Sequence, residues 1–566
     1  MKKDDYFHTY PYFNNIKEMM DYSIEQNSDC RAFILKDKEG NHVNIKYKEL
    51  KDEINYLGTS FLNLGLKGKK IAIVGKNSYM WVLSYLAVLY GNMVAVPLDK
   101  DLEIGELENC LVRSKADAVI FDEKLIDKIM QIRANGNTYL KEYITNAKTD
   151  DFKNFDVVKN KGKELYLSGK KDFENIEIDS DKMSVLVFTS GTSAKSKAVM
   201  LSQRNIAVDI YAMKQVEGFY NTDVNLQFLP LHHMFGSTGV LIFLASGCAN
   251  AFPDGLKYVQ QNMKEYKVSI FVGVPALIEA IYKKIDKGIE NQGKTSLVRA
   301  LKKITNPLGV KVKRKIFKSI LSELGGDLRL IISGAAALDK KIDIDFNEIG
   351  IRVIQGYGLT ETSPVVAAEN DKYQKFGSVG FPMKGFEVEV VDKDEQGIGE
   401  LRTRGENVML GYYENEIETS EVLKDGWFYT GDYGYIDREG FIFITGRKKN
   451  MIVLQNGKKI FPEEVEDLIN KIDLVEESMV FGFPKGNDVV LSVKVKYDED
   501  IAKEKYPNKS EQELEKITWE KIKEINSSFP VYKHVKNLIF TKEDFIKTTT
   551  AKIKRFEEIK KIIQNS

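Results

Sequence analysis

The sequence contains little cysteine and no long apolar run. Its three cysteines, Cys30, Cys110 and Cys248, are far apart and form no CxxC pair, which argues against a disulfide framework or a zinc site. The longest apolar stretches, such as GVLIFLASG at 239–247, are too short to span a bilayer. The N-terminal MKKDDYFHTYPYFNN lacks the apolar segment of a secretory signal. We therefore expect a soluble, cytoplasmic protein.

The sequence also lacks an excess of either charge. Lys and Arg together number 83, as do Asp and Glu, so the formal net charge is zero. This balance argues against a nucleic-acid partner, although it allows local basic patches. One such patch is the helical segment 282–328. This segment is either a solvated helical insertion or a binding surface. As a binding surface it would contact the inner face of a membrane peripherally or receive an acidic partner.

The order of predicted elements indicates an α/β fold with more than one domain. At 566 residues the chain is too long for one ordinary core. Short β-branched runs alternate with helical patterns to about residue 360, which predicts layered, mostly parallel sheets with helices. From about 377 short strands and tight turns predict a small antiparallel, barrel-like part. We predict a large N-terminal domain over 1–447 and a small mobile α+β domain over 448–566.

A hydroxyl-rich stretch follows one predicted strand. In VFTSGTSAKSKAVM, Ser and Thr hydroxyls surround Gly191, and Lys195 and Lys197 follow. Successive backbone N–H groups, hydroxyls and a lysine favour an anion such as phosphate. The P-loop pattern GxxxxGK[ST] is absent, which disfavours an ordinary P-loop NTPase. A hydroxyl-rich surface turn is the alternative.

Two later strand ends carry further polar groups. In GYGLTETSP, Thr360 stands beside Glu361, and oxygen ligands of this kind suit Mg²⁺ with substrate phosphates. The same pair also suits a helix start. In YTGDYGYIDREG, Asp432 lies in a glycine-flanked turn, where its carboxylate can accept hydrogen bonds from ribose hydroxyls. Turn chemistry alone would also explain an Asp at this position.

The combination of these motifs, in this order, resembles the adenylate-forming superfamily. Within that superfamily the chain is most similar to long-chain fatty acyl-CoA synthetases, and the resemblance covers nearly its full length. The family's phosphate loop reads [YF]TSGTTGxPKG, and here it reads FTSGTSAKSKA. Ala194 and Ala198 replace glycines and Ser196 replaces a proline. The added methyl groups restrict φ and are expected to change the shape of the loop but not its binding of phosphate.

The resemblance implies a role for each matching residue. His233, in LPLHHMFG, is implied to border the acyl site, and Lys449 is implied to be a hinge that also borders the nucleotide. Asp432 and Arg447 are the implied ribose-binding pair. The phosphate loop comprises Thr189, Ser190, Gly191, Thr192, Ser193 and Lys197; the adenine and phosphate segments comprise Gly334, Ala335, Ala336, Gln355, Gly356, Tyr357, Gly358 and Thr360; and the Mg²⁺ ligands are Glu361 and Thr189.

The tail motif IKTTTAKIKRF resembles P[KR]TxxGK[IL]xR and places the family's catalytic lysine at Lys552. Ala551 stands where glycine is expected, and Ile546 where proline is expected. The resemblance implies catalysis by Lys552, Glu361, Thr360 and His233. The implied substrates are a fatty acid, ATP and coenzyme A, with Mg²⁺ as cofactor.

Two other functions stay open. One is transfer of the same adenylate to the thiol of an acyl carrier protein, for which the basic segment offers a surface for an acidic partner. The other is a nucleotide-sensing or scaffold protein with weak catalysis, which the substitutions at Ala194, Ser196, Ala198 and Ala551 favour. Assays of adenylate formation across a panel of fatty acids separate these functions.

Overall fold

Helices and strands alternate along most of the chain. The computed structural model describes residues 8–189, 196–454, 458–485, 488–547 and 553–564. The helices are α1 (Ile16–Gln26), α2 (Tyr47–Asn63), α3 (Tyr79–Tyr90), α4 (Ile104–Ser114), α5 (Ile126–Asn135), α6 (Phe155–Leu167), α7 (Gln203–Lys214), α8 (Met234–Leu244), α9 (Val259–Tyr266), α10 (Pro275–Asn291), α11 (Thr295–Thr305), α12 (Val310–Ile316), α13 (Lys318–Glu323), α14 (Lys340–Glu348), α15 (Glu416–Val422), α16 (Pro462–Ile469), α17 (Glu499–Lys505), α18 (Glu511–Asn526) and α19 (Arg555–Gln564). None of these helices is both long and apolar enough to cross a bilayer.

Within the described residues the strands fall into five sheets. They are β1 (Arg31–Lys36), β2 (His42–Lys46), β3 (Lys70–Val74), β4 (Val94–Leu98), β5 (Ala118–Phe121), β6 (Glu142–Thr145), β7 (Lys153–Asn154), β8 (Met183–Thr189), β9 (Lys197–Ser202), β10 (Val224–Leu226), β11 (Ala249–Ala251), β12 (Ile270–Gly273), β13 (Leu330–Ser333), β14 (Arg352–Gly358), β15 (Val365–Ala368), β16 (Phe381–Pro382), β17 (Glu387–Val391), β18 (Gly399–Arg404), β19 (Gly411–Tyr412), β20 (Leu423–Lys424), β21 (Trp427–Ile436), β22 (Ile442–Arg447), β23 (Ile452–Val453), β24 (Lys459–Ile460), β25 (Val475–Lys485), β26 (Asp488–Tyr497) and β27 (Asn537–Thr541).

The first large sheet has the order β19-β9-β8-β4-β3-β5-β6-β7. The strands from β8 to β7 in this order pair in parallel. The central strands β3, β4 and β5 are buried on both faces beyond their first residues, as in other parallel sheets. Strands β8 and β9 form an antiparallel hairpin. Strand β19 extends the sheet beyond β9, which brings a distant part of the chain beside that hairpin.

The second large sheet has the order β16-β15-β14-β13-β12-β10-β11-β1-β2. Strands β12, β13 and β14 are parallel neighbours, with Gly273 opposite Ser333 and Ser333 opposite Gln355. The carboxyl ends of these three strands therefore meet at one edge of the sheet, the usual place for a ligand in an open α/β sheet. The segments that follow Ser333 and Gln355 are those in which the resemblance implies adenine and phosphate contacts.

The third sheet is a curled antiparallel half-barrel made of β17, β18, β20, β21 and β22. Its register places Asp432 on β21 opposite Arg447 on β22. With the two parallel-rich sheets, this half-barrel confirms the predicted fold class of the large N-terminal part.

The C-terminal part builds a separate α+β layer. A 3₁₀ turn at Lys448–Asn450 directly follows β22. Strands β25, β26 and β27 form a mixed sheet whose apolar residues pack with those of α16 and α18. Lys471 of this part pairs with Asp339 of the large part at 3.0 Å. The division at 447/448 and the mobility of the smaller part stay predictions.

Candidate active site

The predicted phosphate loop connects β8 and β9, and the structure describes its two ends. Thr189 and Lys197 are paired across the mouth of the hairpin, and the Thr189 hydroxyl donates a 3.4 Å hydrogen bond to the Lys197 carbonyl. Arg113 fixes the second end because its guanidinium donates to the carbonyl oxygen and to Oγ of Ser196 at 2.9 and 3.2 Å. The predicted ligands Ser190, Gly191, Thr192 and Ser193 lie outside the described residues.

Tyr412 joins the phosphate-loop lysine to the predicted metal ligand. Lys197 Nζ lies 4.6 Å from the centroid of the Tyr412 ring, within the range of a cation–π contact, and 3.3 Å from the Glu418 carboxylate. The Tyr412 hydroxyl donates a 2.9 Å hydrogen bond to Oε1 of Glu361. Burial and the negative charge of Glu361 raise the pKa of Tyr412, so the phenol keeps its proton at neutral pH.

Glu361 fits a magnesium site in charge and position. Among the described residues no Lys, Arg or His forms an ion pair with its carboxylate, and its main-chain carbonyl is fixed by the Met409 N–H at 2.8 Å. Mg²⁺ prefers one or two carboxylates together with substrate phosphates and water. Glu361 beside Lys197 can supply such a carboxylate, with the Thr189 hydroxyl at the same hairpin mouth.

The segment that carries Thr360 and Glu361 is packed tightly. A Cβ on Gly358 would lie 1.8 Å from the Pro364 carbonyl oxygen, so only glycine fits at this position. The Asn407 amide donates to the carbonyls of Thr362 and Val365 at 3.0 and 3.1 Å. These contacts fix the 3₁₀ turn Thr360–Thr362 and thereby the position of the Glu361 carboxylate.

Tyr357, Asp432 and Arg447 form one connected group. The Tyr357 hydroxyl donates to Oδ2 of Asp432 at 2.8 Å, and Arg447 Nε lies 3.0 Å from Oδ1. Burial, and then the Asp432 charge, raise the pKa of Tyr357 well above its usual value. The sequence predicts Tyr357 beside adenine and the other two residues beside ribose, and the structure places all three together.

Gln355 connects the two segments predicted to contact adenine. Its side-chain oxygen accepts a 3.1 Å hydrogen bond from Leu338 N–H, at the end of the segment that contains Gly334, Ala335 and Ala336. Ala335 has a φ of +74°, which is uncommon for alanine, and it is exposed, as is Ala336. The main chain of this segment is thus open to a flat ligand. Gly356 follows Gln355 on β14.

Two buried carboxylates lie behind Gln355. Glu369 accepts the Gln355 N–H at 3.1 Å, and Asp343 lies 3.4 Å from its side-chain nitrogen. Burial raises the pKa of Asp343 to about 7, and burial with the nearby Asp343 raises that of Glu369 to about 8. These two acids help to fix the side chain and main chain of Gln355. Their raised pKa values mean that both carboxyl groups stay largely protonated below about pH 7.

His233 precedes the first residue of α8, at the predicted acyl site. Its ring lies 4.1 Å from that of His232, between centroids, and His232 Nε2 lies 3.5 Å from Asp99. Burial lowers the pKa of His232, although Asp99 opposes this shift. Gly334 contacts this region, because a Cβ built on it would lie 2.8 Å from the Phe235 ring.

The structure describes the two ends of the tail motif, whereas Lys552 lies outside the described residues. These two ends are held together by a bridge between Lys547 and Ile553 and by a 2.8 Å hydrogen bond from Lys554 N–H to the Ile546 carbonyl. Lys449 lies in the 3₁₀ turn after β22. The structure therefore places the hinge candidate and both ends of the tail motif, but not the lysine that is predicted to be catalytic.

Two residues of this site, Tyr412 and Arg113, belong to none of the sequence motifs. Tyr412 lies in GYYEN, which gives no signal beyond a glycine followed by two tyrosines. Arg113 lies in the last turn of α4, which carries no motif. Only the pairing of β19 with β9 and the packing of α4 near the hairpin bring these residues to the site.

Family models match both parts of the chain. A model described as AMP-binding enzyme matches residues 20–413, and one described as AMP-binding enzyme C-terminal domain matches residues 449–561. The chain belongs to this AMP-binding enzyme family. It is accordingly an ATP-dependent, adenylate-forming ligase.

Several named relatives resemble this ligase at low identity. Long chain acyl-CoA synthetase 4 of Arabidopsis thaliana is 27% identical over 487 residues, which cover 80% of this chain and 73% of the relative. Long-chain-fatty-acid–CoA ligase 5 of Rattus norvegicus is 30% identical over 480 residues, covering 77% and 69%. A chloroplastic long-chain-fatty-acid–[acyl-carrier-protein] ligase, AEE15 of Arabidopsis thaliana, is 26% identical over 594 residues, covering 91% and 81%.

Solved structures share the fold of this ligase. The anthranilate CoA ligase AuaEII in complex with anthranoyl-AMP superposes with a TM-score of 0.76 at 20% identity, covering 99% of both chains. ATP-bound MatB from Rhodopseudomonas palustris superposes with a TM-score of 0.74 at 22% identity, covering 97% of this chain and 99% of the other. Both comparisons confirm the fold.

Proposed function

We propose that this ligase activates a medium- to long-chain fatty acid as its acyl-adenylate and transfers the acyl group to coenzyme A. The products would be acyl-CoA, AMP and pyrophosphate. The names of the relatives from Arabidopsis thaliana and Rattus norvegicus support this choice of acid and acceptor. Because these relatives are at most 30% identical to this chain, the choice of acid rests on the site itself.

The observation that carries the choice of acid is the open space at Gly239. This glycine lies on α8, whose sequence MFGSTGVLIFL contains no charged residue. A Cβ built on Gly239 meets no atom within 4 Å, although the residues on either side of it are buried. Phe235 precedes Gly239 by four residues and therefore lies on the same helix face. An uncharged helix face with free space suits an alkyl chain better than an amino acid or a dicarboxylate.

In the first half-reaction the fatty carboxylate attacks the α-phosphorus of ATP and expels pyrophosphate. Both reactants are anions, so positioning and dispersal of charge govern the barrier. We assign Lys552 to bridge the carboxylate and α-phosphate oxygens, and Lys197 to hold the departing phosphates. Glu361 and Thr189 would hold Mg²⁺, which supplies neutralising charge at those phosphates when bound. The nucleophile is already ionised and needs no general base.

In the second half-reaction the CoA thiol attacks the adenylate carbonyl and expels AMP, while the thiol proton leaves to solvent or a nearby base. Rotation of the C-terminal part about Lys449 would withdraw Lys552 and admit the thiol. A motion of this kind pivots on a few linker residues. The ion pair between Lys471 and Asp339 would break during it.

The experiment that tests this function measures ATP–pyrophosphate exchange with saturated fatty acids of graded length. The expected result is exchange that depends on the acid and is greatest for medium or long chains, followed by thioester formation when CoA is added. Exchange with aryl or amino acids alone would contradict the proposed substrate class. ATP binding without exchange for any acid would indicate a nucleotide-sensing protein.

Acyl carrier protein is the second candidate acceptor. It is favoured by the relative AEE15, which aligns over 91% of this chain and is named as an acyl-carrier-protein ligase. With the preferred acid and ATP supplied, thioester formation is compared between free CoA and the phosphopantetheine form of a carrier protein. If thioester formed with the carrier protein but not with free CoA, the carrier protein would be the acceptor instead of CoA.

A further inference from the structure

Helix α11 has an apolar face that the protein covers only in part. Val298 and Leu301 pack against the core of the second sheet. Leu297, Ala300 and Ile304 recur at helical spacing beside them and are exposed. Ile304 is 68% exposed. The uncovered part of this face is therefore a continuous row of apolar side chains on the molecular surface.

The exposed row continues through the next turn and helix. Of the 22 large apolar side chains that are exposed in the described part of the chain, six fall between residues 297 and 316. Single exposed apolar residues are common, but a cluster of this density marks a binding surface. These six residues are Leu297, Ile304, Leu308, Val310, Val312 and Ile316.

The same surface is strongly basic. Residues 291–322 contain nine Lys and Arg and no Asp or Glu, in a chain with no net charge. Two of the nine point inward: Lys302 pairs with Asp345 at 2.5 Å, and Arg314 donates to the Leu328 carbonyl at 2.6 Å. Six others form no ion pair within the described residues: Arg299, Lys303, Lys311, Lys313, Lys315 and Lys318.

We propose that this surface, residues 295–318, docks on an anionic lipid bilayer and inserts the row from Leu297 to Ile304 among the lipid headgroups. A helix with Leu and Ile on one side and Lys on its flanks has the composition of an interfacial membrane helix. Lysines that do not pair with protein acids are available to anionic headgroups. The inference is independent of which acid the enzyme activates.

The side-chain types favour a bilayer over an acidic protein partner. Protein interfaces are anchored by Tyr, Trp and Arg and are poor in Lys. The large exposed apolar residues of this surface are Leu, Ile and Val, its exposed cations are mostly Lys, and Arg299 is the only exposed arginine among residues 295–318, all of which are described. A bilayer accepts such aliphatic side chains at any position, whereas a protein partner needs a matching pocket for each.

The full-length protein is tested by co-sedimentation with phosphatidylcholine vesicles that either contain or lack phosphatidylglycerol. The expected result is binding to the anionic vesicles that weakens by about tenfold or more in high salt or without phosphatidylglycerol. The variant Leu297→Ser/Ile304→Ser should bind about tenfold more weakly. The control variant Val157→Ser/Leu167→Ser on α6, where both side chains are 66% exposed, should bind as the wild type does.

A second measurement tests insertion directly. Ile304→Trp should show blue-shifted fluorescence with anionic vesicles and quenching by brominated lipid, whereas Leu167→Trp should show neither. The proposal would be overturned if the wild type did not bind anionic vesicles in low salt, or if the Leu297→Ser/Ile304→Ser variant bound equally well. Binding of an acidic carrier protein at this surface, with no binding of vesicles, would also overturn it.

Discussion

The hydroxyl of Tyr412 donates a 2.9 Å hydrogen bond to Glu361, while the ring of the same tyrosine lies against Lys197. One side chain thus connects the predicted metal ligand with the predicted phosphate ligand. If both ligands act on the pyrophosphate part of ATP, their separation has to match that group. Tyr412 helps to set this separation.

Replacement of Tyr412 by Phe should therefore impair the use of Mg²⁺ more than the fold. The ring contact with Lys197 is kept, but the Glu361 carboxylate loses a hydrogen bond, and bonds to charged groups contribute about 1.5–3 kcal/mol. We expect the Mg²⁺ concentration for half-maximal exchange to rise by about tenfold. Tyr413→Phe is the control, because Tyr413 lies against Lys70 instead. Equal Mg²⁺ dependence in the two variants would contradict this role of Tyr412.

The fold class could be predicted from the sequence because its strand patterns are strong, whereas the nucleotide contacts stay predictions, three of which, Tyr357, Asp432 and Arg447, the structure brings together. Asp432 and Arg447 meet through the register of one hairpin, which is a short-range feature of the chain. Tyr412 and Arg113 reach the site only through long-range sheet pairing and helix packing, which periodicity does not reveal. Strand β10 likewise ends at Leu226, where the Asn77 amide donates to the next three carbonyls, at 227–229, in a long-range contact that periodicity does not reveal.

Asp432→Asn tests the predicted contact with ribose. The asparagine keeps the shape of the side chain but loses the charge that accepts hydrogen bonds from hydroxyls and pairs with Arg447. We expect the KM for ATP to rise by about tenfold, and the preference for ATP over 3′-deoxy-ATP to fall toward unity. Asp437→Asn, in the turn of the same hairpin, should change neither value. A retained preference for ATP in Asp432→Asn would refute the ribose contact.

Gly239→Leu tests the proposed acyl site. The added side chain would occupy the free space beside α8, so the longest acids should lose activity first. We expect the preferred chain to become shorter and kcat/KM for the longest acid to fall by about tenfold or more, with little change in the KM for ATP. The control is Gly105→Leu, since Gly105 is a helical glycine with the same free space but lies exposed on α4. An unchanged chain-length profile would place the alkyl chain elsewhere.

The buried Asp343 predicts a pH-dependent stability. Burial raises its pKa from 3.8 to about 7 in the folded protein. Between these values the unfolded chain loses a proton that the folded chain keeps, so stability falls as pH rises and levels off above about 7. Asp343→Asn removes this fall in stability because asparagine does not ionise. Relative to the variant, wild type should lose roughly 2 kcal/mol of unfolding free energy between about pH 5 and pH 7.5.

Asp345→Asn is the matched control on the same helix. Burial opposes ionisation of Asp345, but hydrogen bonds from Lys302 and Lys341 lower its pKa to about 2. A lowered pKa stabilises the fold above the unfolded pKa of 3.8, so this contribution is complete at both pH values. Asp345→Asn should therefore be destabilised equally at both. A parallel pH response in Asp343→Asn and wild type, measured by chemical denaturation, would show that Asp343 is ionised in the fold.

Lys552→Ala separates the two half-reactions. If Lys552 bridges the carboxylate and the α-phosphate, its loss should lower ATP–pyrophosphate exchange by about a thousandfold. Thioester formation from a supplied acyl-adenylate should be largely kept, because that step proceeds with Lys552 withdrawn. The control is Lys554→Ala, which removes a lysine two residues away that pairs with Glu557 at 3.2 Å. Equal loss of both half-reactions in Lys552→Ala would mean that this lysine supports the fold or both steps, and adenylation would then need another cation.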